Sequence, residues 1–200
     1  MRDADATKQR LIEAVDALIV EQGIGALGVN AVAQQAGVDK VLIYRYFGGW
    51  SGLLQAYAEG EAFWPSTQDL LGECPKEILA LPPAERWQLV LSRYVRELSK
   101  RPRTLEILAW EVTARNEITA RLEAVREKRA LELLSHLGDG CDPDVDLGAL
   151  AAILSAAVHY LLLRGREIRG YSGIDLQSEA GWQRLEQTMA RLLTAYFQSN

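Results

Sequence analysis

The run Gly28-Val29-Asn30-Ala31-Val32-Ala33-Gln34-Gln35-Ala36-Gly37-Val38-Asp39-Lys40-Val41-Leu42-Ile43-Tyr44-Arg45-Tyr46-Phe47 holds two apolar patterns at helical spacing, separated by Gly37-Val38-Asp39. That spacing predicts two short helices, about 29–36 and 40–46, joined by a sharp turn. Glycine permits the turn because it has no Cβ, and Val38 is placed to plug the angle between the helices. Val32 and Ala33 supply the inner face of the first helix, and Leu42 or Ile43 that of the second. In such a helix-turn-helix unit the second helix lies in the DNA major groove while the first crosses the backbone. Lys40, Tyr44 and Arg45 are expected on its outer face among apolar anchors. Phosphate and base-edge donors then stand side by side.

Working outward, Leu11, Ile12, Val15, Leu18 and Ile19 form an amphipathic stripe that ends at Gly23. Downstream, a helix from near Ser51 carries Leu53, Leu54, Tyr57 and Ala58 and is stopped by Pro65. Four prolines between 65 and 83 predict a broken or partly helical stretch. From Pro83 an uninterrupted stripe runs through Trp87, Val90, Leu91, Tyr94, Val95 and Leu98. Two further helices are expected over about 102–114, with Leu105, Leu108 and Val112 inward, and 116–137. Another follows over about 145–163, and a last one carries Trp182, Leu185, Met189, Leu192, Leu193 and Tyr196. Residues 165–173 are expected to be a loop. The expectation is an all-α chain of nine helices with no sheet, no internal repeat and no low-complexity tract.

Composition narrows the class. The chain has 200 residues, 48% hydrophobic and 24% charged, with 22 Lys and Arg against 27 Asp and Glu, a net charge of −5. This is globular composition and excludes a polybasic nucleic-acid coat protein. Any anionic partner must be held by a local arrangement. Cys74 and Cys141 make no disulfide framework and lack nearby histidines for zinc, so a reducing compartment and no metal are expected. Met1-Arg2-Asp3-Ala4-Asp5 does not resemble a signal peptide. The most apolar uncharged run, Leu147 to Leu163, is 17 residues, at the lower edge for a membrane span. Its Ala content, Gly148, Ser155 and His159 favour a buried helix, with no membrane partner.

Enzymatic signatures fail on context. Gly23-Ile24-Gly25-Ala26-Leu27-Gly28 fits G-x-G-x-x-G but follows a helix, and Gly48 stands where an acidic ribose ligand would be needed. Gly49-Trp50-Ser51-Gly52-Leu53 lacks the last glycine of a nucleophile elbow. No catalytic residues, no cofactor and no enzymatic activity are expected.

Ala26 to Val38, followed by Ile43-Tyr44-Arg45-Tyr46-Phe47, resembles the DNA-binding domain of the TetR family of transcriptional regulators. The motif and its preceding helix span about 45 residues of this chain; the remainder matches in length and helical organisation. The resemblance implies a helix-turn-helix head at 1–50, with its motif at about 28–47. It also implies a ligand-binding and dimerising helical body at 51–200. It places Lys40, Val41, Tyr44, Arg45 and Tyr46 on the DNA-facing side, Tyr44 and Tyr46 toward the phosphate backbone. Asn30 is placed to reach a phosphate or a base edge. Arg45 is the expected base reader, with guanine O6/N7 its geometric partner. Two positions depart from the family pattern: Gly28-Val29 replaces a capping hydroxyl, and Trp50 replaces a common lysine. Residues 1–50 hold five Lys or Arg against six Asp or Glu.

The resemblance further implies a cytoplasmic, ligand-released homodimeric repressor of a near-palindromic double-stranded DNA operator, with an unidentified small-molecule effector. The body's aromatic residues suit a mainly apolar cavity, with Tyr94, Trp110, Glu111 and Trp64 as candidate effector contacts. Small residues at Gly148, Ala152, Ser155 or Ala156, and His159 let another backbone approach. About 145–163 and 179–197 are therefore the expected dimer helices. The alternative is a helical small-molecule-binding or adaptor protein that has lost DNA binding, as the acidic head, Gly28 and Trp50 suggest.

Overall fold

Leu11, Ala14, Val15, Leu18 and Ile19 are all buried along one side of α1 (Arg2–Gln22), and the head folds against that stripe. A 3₁₀ turn (Ile24–Ala26) leads to α2 (Val29–Gln35), α3 (Val41–Phe47) and α4 (Trp50–Glu59). Val32, Ala33, Ile43, Leu53, Leu54, Tyr57 and Ala58 close the core beneath them. This computed structural model describes residues 2–60 and 63–198.

The chain then forms α5 (Thr67–Leu71), α6 (Pro75–Leu79), α7 (Pro83–Ser99), α8 (Pro102–Thr113) and α9 (Glu117–Leu137). After these come α10 (Leu147–Glu167), a hairpin of β1 (Gly170–Tyr171) and β2 (Ile174–Asp175), and α11 (Glu179–Gln198). Two compact units result, Met1–Trp64 with Glu106–Lys128, and Pro65–Leu105 with Arg129–Asn200. In the second unit, α7 packs along α11 through Trp87 against Phe197, ring centroids 6.1 Å apart. Gln88 donates to Thr194 Oγ1 at 2.9 Å, and Ser92 donates to Glu186 at 2.6 Å.

The all-α class holds, with corrections. Among the described residues there are eleven α-helices rather than nine. The proline-broken stretch contains α5 and α6, because Ser66 and Asp69 form a capping box and Pro75 opens a turn that needs no amide donor there. The 165–173 loop is shorter than expected, since α10 runs on to Glu167 and a two-residue hairpin follows, Gly170 opposite Asp175 and Tyr171 opposite Ile174. Val112 does not face inward; it is 84% exposed. The inner face of α8 is Thr104, Leu105, Ile107 and Leu108, and the next position of that stripe belongs to Glu111. Nor is α10 a buried helix. Only Leu154, Val158 and Leu162, one stripe at spacing four, are buried. Its length and composition would suffice to cross a membrane, which by itself is weak evidence for a span.

Candidate functional site

Gly37 takes a left-handed conformation, φ 64°, at the end of α2. The Gly37 amide donates to the Gln34 carbonyl at 3.1 Å, and the Val38 amide donates to the Ala33 carbonyl at 3.0 Å. This paired pattern ends a helix and reverses the chain. Asp39 then accepts the Val41 amide at 2.8 Å, so the first turn of α3 is satisfied from within. Ile43 is fully buried and anchors α3 against the head core. Gly52 fixes the other end: a Cβ there would lie 1.8 Å from the Phe47 carbonyl oxygen, so only glycine lets α4 begin this close to α3.

The anchoring leaves one face of α3 outside. Val41 is 61% and Tyr44 57% exposed, and Lys40, Arg45 and Asn30 are exposed beside them. Lys40 Nζ donates to Asn30 Oδ1 at 3.4 Å, which joins two candidate contacts from different helices. The Arg45 guanidinium stands 5.9 Å from the Tyr46 ring centroid, and Tyr46 is half-buried. Five of the six candidate DNA contacts are therefore exposed on the paired helices, and the half-buried Tyr46 stands against Arg45. Gly28 caps α2 without a side-chain bond, and Trp50 begins α4 half-buried. Asp39 thus serves α3 as well as the turn, a role that the turn sequence alone does not reveal.

Two of the four candidate effector contacts meet through a residue not singled out. Arg126, from α9, pairs with Glu111 Oε2 and lies with its Cζ 5.5 Å from the Trp64 ring centroid. Trp64 stacks at a tilt against Phe63, centroids 6.1 Å apart, and Phe63 against Tyr57 at 5.9 Å. Glu111 is 11% exposed. Burial raises its carboxyl above the ordinary value, opposed by the Arg126 charge and hydrogen bond and assisted by Glu123. Arg126 was hidden among the many charges of α9. The signal that could have found it was an acid at an inward position of α8, which needs a counter-charge. Trp110 is half-buried. Tyr94 belongs to the second unit, where its hydroxyl bonds His159 Nε2 at 2.5 Å.

A helix-turn-helix whose second helix is anchored by one residue and bare on its polar side, in an all-helical chain, defines a DNA-binding transcriptional regulator. Residues 11–57 match the family described as bacterial regulatory proteins, tetR family. Over that stretch the chain carries a tetR-family DNA-binding region. It is 28% identical over 167 residues to the HTH-type transcriptional regulator BetI 2 of Chromohalobacter salexigens, covering 79% of this chain and 76% of that protein. It is 26% identical over 151 residues to the HTH-type transcriptional repressor SCO4008 of Streptomyces coelicolor, covering 76% and 73%. The fold is similar to FadR of Bacillus subtilis solved in complex with stearoyl-CoA, TM-score 0.62 at 18% identity, covering 92% of this chain and 96% of that one.

Proposed function

We propose that the chain is a cytoplasmic homodimeric repressor that leaves a near-palindromic operator when a small molecule binds its body, with residues 1–50 reading DNA and 51–200 binding effector and dimerising. The observation that carries this reading is the exposed face of α3, where Arg45, Lys40 and Tyr44 stand together on a firmly anchored helix. Arg45 reads a base edge, Lys40, Asn30, Tyr44 and Tyr46 hold the backbone, and Val41 meets an apolar base group. Two copies related by a two-fold axis set their α3 helices roughly 34–36 Å apart, one turn of DNA.

The dimer face we infer is α10 with α11. Ala149, Ala152, Ile153, Ala156 and Tyr160 form one exposed stripe opposite the three buried residues of α10. Leu192 adds to it from α11, 61% exposed. An apolar stripe of this length, without a charge from Leu147 to Leu163, suits a second copy of the same helices.

Effector contacts are proposed at Trp64, Trp110 and Glu111, and separately at Tyr94. A chain of contacts within the first unit supports coupling to DNA. Glu111 pairs with Arg126 of α9, Arg121 of the same helix donates to Ser51 of α4, and Gly52 abuts the end of α3. An effector acts by preferring a conformation in which α3 is wrongly presented; only differential affinity for the two states moves the equilibrium.

The test is a salt series of fluorescence anisotropy with DNA from upstream of the chain's own gene. Saturable binding that weakens linearly in log salt and collapses onto one sequence over others is expected. Equal, weak binding to every sequence, or none, would leave a helical small-molecule carrier instead.

A further inference from the structure

Glu111 is engaged on one side only. Arg126 reaches Oε2 with a single Nη1, whereas a structural Arg–carboxylate pair commonly closes with two parallel bonds. Oε1 is buried and has no hydrogen-bond partner. A buried acceptor left unmet is costly, and each one calls for a physical explanation. On the other side of the shared Arg126 guanidinium stands an aromatic wall, Trp64 backed by Phe63 and Tyr57, which already accommodates that one cation. Ring face and carboxylate in one place attract positive charge. The unmet oxygen adds a finer demand, because it needs a donor and a quaternary ammonium has none.

We propose that Glu111 Oε1 and the Trp64 ring form a subsite for the protonated amine or guanidine head of the effector, a cation carrying at least one N–H. This rests on the reading of the chain as an effector-binding regulator and names the chemical class of that effector. The N–H head donates to Oε1, while its apolar remainder runs along the aromatic side chains. Arg126 retains Oε2, so the carboxylate becomes fully satisfied only in the bound state.

Three probes of equal length test it by calorimetry on the full chain: 4-phenylbutylammonium, its N,N,N-trimethyl analogue, and 4-phenylbutyrate. The ammonium should bind about ten- to hundredfold more tightly than the trimethyl analogue, which loses one charge-assisted hydrogen bond, and the butyrate should not bind. Glu111→Gln should lower ammonium affinity by a similar factor. Because the probe comparison uses the unaltered chain, it remains decisive if that variant folds poorly. Tighter binding of the butyrate, equal binding of both cations, or no binding of the ammonium overturns the proposal. Operator binding measured in parallel separates the two levels. DNA binding without amine binding removes the subsite and keeps the regulator, whereas amine binding without DNA binding keeps the subsite and removes the regulator.

Discussion

Helices α3 and α10 both hold apolar side chains out to solvent, and they do so in different company. On α3, Val41 and Tyr44 stand among Lys40, Arg45 and Asn30, over a stretch of seven residues anchored by Ile43. On α10, Ile153 (68% exposed) and Tyr160 stand among alanines, with no charge between Leu147 and Leu163. Exposure alone does not say what meets a surface. The neighbouring charge does: cations mixed with planar and apolar groups fit a polyanion with readable edges, and an uncharged stripe fits another apolar stripe. Salt should therefore act differently on the two faces. It screens and competes at α3 and leaves association through α10 intact.

The largest effect is expected where the uncharged face receives a charge. Ile153→Asp in both copies should weaken dimerisation by more than about 4 kcal/mol, since each copy would bury a carboxylate without a partner. Sedimentation should show monomer at micromolar concentration with unchanged helix content. An unchanged dimer would remove α10 from the interface. Next, Arg45→Ala should cost about 1–3 kcal/mol on the best operator and relax preference at one base pair. Equal loss on all sequences, measured by anisotropy, would make Arg45 a phosphate contact.

Arg121→Ala cuts the contact between α9 and Ser51. Both ligands should still bind, while the effector's influence on operator affinity falls by about 0.5–2 kcal/mol. Unaltered coupling would show that the link to α4 is not used. Lys40→Ala should be milder, weakening all DNA sequences alike and reducing the salt slope by about one; loss confined to one sequence would contradict a backbone role.

The last expectation concerns pH. Burial raises the Glu111 carboxyl above 4.5, its unfolded value. Its stabilising contribution is thus complete below that value and is lost as pH rises through the folded one. The melting-temperature difference, wild type minus Glu111→Gln, should grow on acidification from neutrality toward 4.5. A difference that shrinks instead would mean the Arg126 attraction outweighs burial.

How much was legible follows from the kind of physics each feature obeys. The turn at Gly37, the inner residues Val32, Ala33 and Ile43, and the start of α8 at Pro102 rest on backbone freedom and helical period, which neighbours in the chain determine. The short α5 and α6 were obscured because prolines mark interruptions without saying whether a single turn survives between them. Val112 and Glu111 show a sharper limit. Hydrophobicity placed the valine inside α8, yet the glutamate takes the inward slot and the valine faces water. Only a partner more than a dozen residues away, Arg126, makes that arrangement tolerable.

The same division runs through the whole molecule. Residue order was enough to specify an all-helical chain with a paired-helix reader near its start, because helix period, caps and turns are local. Which side of α10 stays bare, which arginine answers Glu111, and which oxygen is left without a donor depend on contacts between residues distant in the chain. Those contacts exist only once the helices have packed.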